Sequence, residues 1–359
     1  MSPAEARHAT SAVTLVSLAQ YGGGGGAAAG GGSWPGARTQ GPNPTPRHFG
    51  FLLLPGFPLM SYASAIEPLR GANALAGRDV YQWSAYSIDG AAVVSSAGLE
   101  VAAVGLPAEA AGLDALFVCA GGNPATFDHK PTFADLRALA RQGVVIGGMS
   151  GGTYPLARAG LLGQARATIH WEHIPALAEE FPELKLERTL FVFDRDRITC
   201  AGGVAAFDMM VEIIARDHGP ELATAVCEWY LHTRSRAGSD SQRISLRERT
   251  RVANDRVLKA LALMESRIEA PASRDELAAG AGVTARHLER LFVAHLGHSL
   301  GEHYLGLRLD RARSLLRQTS LSVAEIAVAC GFVSTSHFAR AYRARFGHTA
   351  RAERATSMA

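Results

Sequence analysis

Short, continuously apolar runs alternate with longer stretches of helical periodicity between residues 49 and 232. The apolar runs predict strands at 49–54, 80–88, 115–119, 143–149 and 190–193. The stretches between them predict helices at 59–76, 133–141, 152–159 and 205–217. Strands that are apolar on both faces and alternate with helices are typical of a mainly parallel sheet covered by helices. The pattern therefore predicts an α/β domain over 49–232, whose ligands would lie beyond the carboxyl ends of the strands.

The pattern changes on both sides of this domain. Residues 1–48 include an unbroken glycine run at 22–26, and such a segment has too little apolar surface to offset its ordering entropy, so we expect disorder. A signal peptide is the competing interpretation of the mildly apolar residues 12–19, but that run is short and few cations precede it. Residues 233–250 are polar and predict a linker. Helices separated by short turns are predicted over 251–350, with a tail at 351–359.

The C-terminal helices contain a duplicated motif. Ala278 is followed four residues later by Gly282, and Ala327 by Gly331, while Gly297-His298-Ser299 is matched by Gly347-His348-Thr349. The paired glycines are 49 and 50 residues apart, as a duplicated unit with one inserted residue requires. A small residue at a helix crossing and a glycine that tolerates positive φ in the turn are typical of a helix-turn-helix. The leucine-rich stretch 304–318 is predicted to hold the two units at a fixed distance.

Leu288, Leu291 and Phe292 are predicted to pack the second helix of the first unit, and Phe338 and Tyr342 that of the second. The donor-rich residues that remain are predicted to face outward and bind DNA in a major groove: Thr284, Arg286, His287, Arg290, Ser334, Ser336, His337 and Arg340. A protein-interaction module with a solvated arginine face is the alternative interpretation.

Composition and charge agree with a basic, nucleic-acid-binding module joined to a net acidic region. The chain has 359 residues, 47% hydrophobic and 19% charged, which fits a globular protein of two or three domains. Residues 241–359 carry 19 Lys and Arg against 11 Asp and Glu, whereas the rest of the chain is net acidic. No apolar stretch is long enough to span a membrane. Four scattered cysteines without a CxxC pair fit the reducing cytoplasm.

The stretch 308–349, RLDRARSLLRQTSLSVAEIAVACGFVSTSHFARAYRARFGHT, resembles the signature of AraC/XylS-type transcription regulators. Leu300 and Ala350 stand where that family usually has proline at the start of the next helix, which leaves the local geometry there open. The resemblance implies a double helix-turn-helix that binds double-stranded promoter DNA, works with RNA polymerase, and acts as a homodimer.

The α/β region carries the layout of a nucleophile elbow. Gly147-Gly148-Met149-Ser150-Gly151-Gly152 follows an apolar run and precedes a helical pattern. With Ala120-Gly121-Gly122-Asn123 and His170-Trp171, it resembles the PfpI-like, class I glutamine-amidotransferase-like superfamily, in which a cysteine occupies the place of Ser150. Serine there needs a positioned base. His170 is the candidate base, but Glu172 is expected to point the opposite way on an extended segment.

The combination resembles the GlxA-type branch of AraC-family regulators, and residues 50–73 are most similar to members that respond to betaines, carnitine or arginine. The resemblance implies a non-catalytic α/β domain that binds a small effector. The sequence has no His, Cys, Asp and Glu cluster with metal-ligand spacing and no GxGxxG or P-loop motif, so we predict no metal and no cofactor. The predicted ligand-binding residues are Tyr62, Gly121, Gly122, Asn123, Ser150, Gly151, His170 and Trp171. We therefore predict a cytoplasmic, metabolite-controlled transcription activator. A PfpI-like hydrolase or amidotransferase that uses Ser150 is the alternative.

Overall fold

The computed structural model describes residues 45–107, 109, 112–319 and 321–357. Most of the segment predicted to be disordered, residues 1–44, lies outside them. The strands are β1 (Arg47–Leu53), β2 (Tyr81–Ser87), β3 (Val93–Val94), β4 (Glu100–Val101), β5 (Val104–Gly105), β6 (Ala115–Ala120), β7 (Val145–Ser150), β8 (Arg166–Ala167), β9 (Lys185–Leu186), β10 (Phe191–Asp194) and β11 (Arg197–Cys200).

The helices of the α/β domain are α1 (Leu59–Ala76), α2 (Lys130–Arg141), α3 (Thr153–Arg158), α4 (Ile174–Glu180), α5 (Ala205–His218) and α6 (Pro220–Trp229), with a short 3-10 turn at Pro124–Thr126. The helices that follow are α7 (Leu246–Thr250), α8 (Asp255–Ser266), α9 (Arg274–Ala281), α10 (Ala285–Leu296), α11 (Leu300–Gln318), α12 (Val323–Ala329), α13 (Thr335–Phe346) and α14 (Ala350–Ser357).

Seven strands form the main sheet in the order β10-β11-β7-β6-β1-β2-β5. All neighbouring pairs are parallel except β10 and β11. The predicted α/β class with a mainly parallel sheet and a helical C-terminal region is confirmed. Every residue of β6 and β7 is buried, which explains why these strands are continuously apolar in sequence.

Alternate residues of β1 supply two apolar layers on opposite faces of the sheet. Phe49 and Phe51 pack in the cluster that includes α1 and α5, whereas Leu52 packs in the cluster that includes α2, α3 and α4. β2 and β6 lie on opposite sides of β1. The sheet is therefore extended first to one side of β1 and then, from β6 onward, to the other. In open α/β sheets such a switch point forms a crevice at the carboxyl ends of the strands, where ligands bind.

The segment 233–250, predicted to be a linker, is held against the α/β domain over part of its length. Gln242 donates from Nε2 to the carbonyl oxygens of Ile169 and Thr189, both at 2.9 Å. Arg236 forms an ion pair with buried Asp208, with a nitrogen–oxygen distance of 2.7 Å. The structure also differs from the sequence-based boundary at the C-terminus, because α14 continues to Ser357 where a tail was predicted from 351.

Candidate nucleic-acid interface and ligand cavities

Two helix-turn-helix units occupy the C-terminal region. We call α9 with α10 unit 1, and α12 with α13 unit 2. Gly282 and Gly331 lie in the turns with φ of 68° and 73°, as the sequence predicted. Leu288 and Phe292 of α10 are fully buried, and so are Phe338 and Tyr342 of α13, which orients the opposite side of each helix outward.

Most of the residues predicted to bind DNA are exposed at the beginning and along the outer side of α10 and α13. Only His287 is partly buried. Among the described residues, Arg286, Arg290 and Arg340 have no carboxylate within ion-pair distance, so their guanidinium groups are available to a ligand. The hydroxyls of Thr284 and Ser334 also cap the helices, since each accepts a hydrogen bond from the backbone N–H three residues later, at 3.3 Å.

α11 connects the two units as a single helix of 19 residues, about 28 Å long. At its start, the Tyr304 hydroxyl accepts a hydrogen bond from Ala272 N, at 3.1 Å, and donates to the Arg267 carbonyl, next to unit 1. Further along, Arg308 donates to the carbonyls of Cys330 and Gly331 at 2.8 and 2.7 Å, in the turn of unit 2. α11 therefore anchors both units.

The two positions that lack the usual proline still begin helices. Ser299 caps α11 in a reciprocal arrangement with Glu302, and buried Leu300 is the first residue of the helix. Thr349 accepts a hydrogen bond from Ala352 N at 3.2 Å at the start of α14, where Ala350 is the first residue. Side-chain caps thus start both helices without proline.

Val333 was missed as a candidate by the sequence analysis. It is fully exposed, and it is the apolar residue directly before the Ser334 cap of α13. The signal was the one-residue insertion in the second copy: Phe332 takes the packed position that Val283 occupies in unit 1, which leaves Val333 outside.

The predicted elbow is present at the end of β7. Ser150 is buried and has a φ of 57°, which is uncommon for a residue other than glycine. A side chain at Gly152 would collide with the Val118 carbonyl, so the chain passes very close to β6 at this turn. Among the described residues, no hydrogen bond joins the Ser150 hydroxyl to the His170 ring; instead His170 N donates to the Ser150 carbonyl at 3.2 Å.

The expectation that Glu172 points away from His170 is wrong. Residues 170–173 form a turn rather than an extended segment, with His173 N donating to the His170 carbonyl at 2.8 Å. The turn brings a Glu172 carboxylate oxygen to 3.6 Å from His170 Nδ1. Burial lowers the pKa of His170, and the Glu172 charge opposes that shift.

The predicted ligand-binding residues lie in different places. Gly121 and Asn123 line a cavity of about 380 Å³ at the switch point, between the ends of β1 and β6, together with Pro55 and Phe127. We call it the switch-point cavity. Asn123 also donates from Nδ2 to the Arg317 carbonyl of α11 at 2.7 Å. Gly122 adopts a φ of 60° in the same loop.

The other members of that set lie deeper or further away. Tyr62 is buried between Phe51 and Phe57, with ring centroids at 5.5 and 5.7 Å, and burial raises its pKa to about 12. Gly151 N donates to the Ala120 carbonyl at 2.9 Å. Trp171 is 40% exposed and lines a second cavity, of about 510 Å³, between the α/β domain and the C-terminal helices. We call this second space the junction cavity.

Within the described part of the chain, no group of three or more His, Cys, Asp and Glu side chains is arranged to hold a metal ion. None of the described helices has the length and apolar character needed to cross a bilayer.

Comparison with known proteins identifies the class of this chain. A helix-turn-helix domain family matches residues 277–356. The HTH-type transcriptional regulator GbdR of Pseudomonas aeruginosa is 43% identical over 320 residues, which cover 89% of this chain and 87% of GbdR. CdhR of the same species is 45% identical over 86% of this chain and 91% of CdhR. GlxA of Rhizobium meliloti is 45% identical over 84% of this chain and 94% of GlxA. The chain therefore belongs to the AraC family of helix-turn-helix, DNA-binding transcriptional regulators.

Proposed function

We propose that this protein activates transcription by binding promoter DNA with α10 and α13, under the control of a small metabolite bound by the α/β domain. The DNA-binding part of the proposal rests on the two helices α10 and α13. Both lie in units anchored to α11, and both carry exposed arginines that have no carboxylate partner among the described residues. Arginine forms bidentate hydrogen bonds to guanine and to phosphate, so these side chains suit both specific and backbone contacts.

The length of α11 supports binding along one side of a duplex. A helix of about 28 Å is comparable to the roughly 34 Å between successive major grooves, so α10 and α13 would enter neighbouring grooves. The capped N-termini of both helices add backbone N–H groups that favour phosphate.

The proposal that a metabolite binds is supported by two cavities. One is the switch-point cavity at the carboxyl end of the sheet, and the other is the junction cavity beside Trp171. Resemblance to the GlxA-type branch suggests a betaine, carnitine or an amino acid, each of which carries a carboxylate and a cation. A homodimer formed through the α/β domain would present paired readers to a repeated or palindromic operator, and RNA polymerase is the expected partner at the promoter.

The proposal is tested by selecting an operator from a random duplex pool with the full chain and titrating binding against salt and metabolites. We expect a selected duplex to bind at least a hundredfold more tightly than a scrambled one, with affinity that falls steeply as salt rises. Glycine betaine, L-carnitine or L-arginine should shift operator affinity or transcription in a purified system with RNA polymerase. Equal affinity for selected and scrambled duplexes would contradict sequence-specific binding.

The alternative, a hydrolase or amidotransferase, is favoured by one observation. The turn at 170–173 places Glu172 next to His170, and the backbone N–H of His170 contacts the Ser150 carbonyl. A serine, a histidine and a carboxylate are the groups that nucleophilic catalysis requires. Turnover of ester or amide substrates by the purified chain that disappears in Ser150→Ala would establish the enzyme and overturn a purely regulatory domain. Equal, background-level turnover in both proteins would remove that alternative.

A further inference from the structure

The junction cavity has walls from both halves of the described chain. The α/β domain contributes Trp171, Glu179 of α4, and Arg188, which lies between β9 and β10. The helical region contributes Glu269, which precedes α9, and Arg311 of α11. With about 510 Å³, the cavity has room for a small metabolite.

Several charges around this cavity are already neutralised. Arg249 is paired with Glu265, with a nitrogen–oxygen distance of 3.0 Å, and Asp310 is paired with Arg345 at 2.7 Å. Glu172 lies 3.6 Å from His170 Nδ1, although burial lowers the pKa of His170, so this ring compensates the carboxylate less than an arginine would. These groups contribute to the walls, but they have protein partners, so they do not require a ligand.

The remaining charges are the ones that point to a ligand. Within the part of the chain that the structure describes, no oppositely charged side chain lies within ion-pair distance of the three arginines and two glutamates that also line the cavity. These five residues are Arg188, Arg243, Arg311, Glu179 and Glu269. Unpaired charges of both signs around one cavity would be stabilised by a molecule that carries both an anionic and a cationic group.

The three arginines lie near one another, and Arg311 is partly buried, whereas Arg188 and Arg243 are more exposed. Burial lowers the pKa of Arg311 to about 10, and the neighbouring Arg188 adds to that shift, whereas Cys330 and the more distant charges of Glu179 and Glu269 oppose it. Burial likewise lowers the pKa of Arg243, and Arg249 and Arg188 lower it further. Since each cation disfavours the charge of its neighbours, a carboxylate placed among them would relieve the repulsion.

Trp171 provides an aromatic wall beside these charges. The Arg243 guanidinium carbon lies 4.6 Å from the centroid of the Trp171 ring. Arg243 covers one face of the ring, and the part of the indole that remains exposed suits apolar groups and an alkylated ammonium group.

We infer that the junction cavity binds a small amphoteric metabolite, with its carboxylate held by Arg188, Arg243 and Arg311 and its cationic end held by Glu179 and Glu269 beside Trp171. This inference rests on the proposed function and names the site and the chemistry of its effector. Because the α/β domain and α11 both line the cavity, the affinity of the ligand depends on how the two regions are arranged. Binding therefore favours one arrangement and changes how the units engage DNA.

The experiment measures binding of glycine betaine, L-carnitine and L-arginine to the full-length chain by isothermal titration calorimetry. Two analogues of glycine betaine remove one charge each: choline lacks the carboxylate, and 3,3-dimethylbutyrate replaces the ammonium nitrogen with carbon. We expect at least one amphoteric probe to bind, and for betaine each single-charge analogue should bind at least tenfold more weakly than the parent compound.

Two substitutions locate the site. Arg311→Gln and Glu269→Gln should each weaken the bound probe at least tenfold, whereas Arg216→Gln, on α5 and far from the cavity, should bind it like the unmodified chain. Glu269 is exposed, so E269Q should fold normally even if R311Q alters folding. Thermal unfolding of each variant without probe separates lost binding from lost folding.

Any one of four results would overturn the inference. Unchanged probe affinity in R311Q and E269Q would do so, and so would equal binding of the single-charge analogues. Loss of binding in Asp128→Asn alone would place the effector in the switch-point cavity and leave the proposed function intact. If none of the three probes binds and none changes operator affinity, both this inference and the effector class of the proposed function are wrong.

Discussion

Unit 1 and unit 2 are copies of one sequence motif with different surroundings. Unit 1 packs with α8 and the start of α11 in an apolar cluster of its own, built around Leu261, Leu288 and Phe292. Unit 2 shares its cluster with the α/β domain, since Phe338 and Tyr342 belong to the same continuous core as Ile174 and Leu177 of α4. The position of unit 2 therefore depends on the α/β domain in a way that the position of unit 1 does not.

The polar groups behind α10 and α13 differ as well, and those of unit 2 form the larger network. In unit 1, His298 Nε2 lies 2.9 Å from His303 Nδ1. At the matching place in unit 2, His348 contacts Glu353, whose carboxylate is almost fully buried and also pairs with Arg313 and Arg317 of α11. Tyr342 donates to Glu353 as well, at 3.0 Å.

The two units share one sequence motif, but their contacts with the α/β domain differ. Arg317 pairs with Glu353 of α14 through its side chain and accepts a hydrogen bond from Asn123 through its carbonyl. The α/β domain is therefore joined to unit 2 by a short series of contacts, whereas the described helices of unit 1 pack mainly on α8 and α11.

The largest expected effect is on DNA binding and tests whether both units read the duplex. Arg286→Ala in unit 1 and Arg340→Ala in unit 2 should each weaken operator binding by roughly tenfold to a hundredfold, because a base or phosphate contact by arginine contributes about 1–3 kcal/mol. Gel-shift titration with the selected operator measures the loss, and Arg216→Ala on α5 is the control. If one variant binds like the unmodified chain, only the other unit reads that operator.

The second effect is on stability and tests the ion pairs and hydrogen bonds that surround Glu353 in unit 2. Glu353→Gln should lower the free energy of unfolding by about 2 kcal/mol, since the buried Glu353 carboxylate is the anionic acceptor for Arg313, Arg317 and His348, which are themselves partly exposed. The matched change in unit 1, His303→Gln, should cost about 1 kcal/mol or less. Urea denaturation at pH 7 measures both, and equal losses would contradict the difference between the units.

The same network has a pH dependence with a definite sign. Burial alone would raise the pKa of Glu353, but hydrogen bonds from His348, Arg317, Arg313 and Tyr342 outweigh burial and lower the pKa to about 2. A carboxyl group whose pKa is lowered in the folded state stabilises it fully above the ordinary value of 4.5 and loses that effect as pH falls toward 2. The stability difference between the unmodified chain and E353Q should therefore be constant from pH 7 to about 5 and shrink below that.

A smaller effect is expected at the contact between the α/β domain and α11. Asn123→Ala removes the hydrogen bond to the Arg317 carbonyl, which contributes about 1 kcal/mol, so the end of α11 should open more often. Hydrogen exchange of residues 315–318 should become several-fold faster, while α10 of unit 1 provides the internal control. Equal exchange at the end of α11 in both proteins would show that this contact does not restrain unit 2.

The smallest effect concerns Val333. The turn of unit 1 has no exposed valine at the matching place, because Val283 is partly buried there. We expect Val333→Ala to weaken operator binding by about twofold to fivefold through loss of apolar contact with a thymine methyl group. Replacing thymine by deoxyuridine across the half-site of unit 2 should weaken binding of the unmodified chain but not of the variant. An operator whose affinity is insensitive to both changes would remove Val333 from the interface.

Much of the fold follows from local sequence. The helix α1 occupies the predicted residues 59–76, and the duplicated glycines 282 and 331 adopt the predicted positive φ, because both signals depend on neighbouring residues only. The strands begin or end within two residues of their predicted limits where the apolar run is continuous, as in β1 and β6. The strands β3, β4, β5, β8, β9 and β11 are short, carry no such continuous apolar run, and were not predicted.

The site was less predictable, because its parts meet only after folding. His170 and Glu172 are neighbours in a turn that periodicity did not reveal. Arg188, Arg243 and Arg311 are up to 123 positions apart in sequence, and nothing in their local pattern distinguishes them from solvated arginines. Tyr62 and Trp171, predicted together, lie in the buried core and beside the junction cavity.

The sequence by itself determined the α/β class, the duplicated DNA-binding motif and the arginines that each recognition helix exposes, because periodicity, turn glycines and helix caps act over a few residues. Only the tertiary structure decided that unit 2 shares a core with the α/β domain, that α11 contacts both, and that charged side chains of both signs from distant segments line one cavity. These are contacts between distant segments, and their geometry depends on how the sheet and the helices pack.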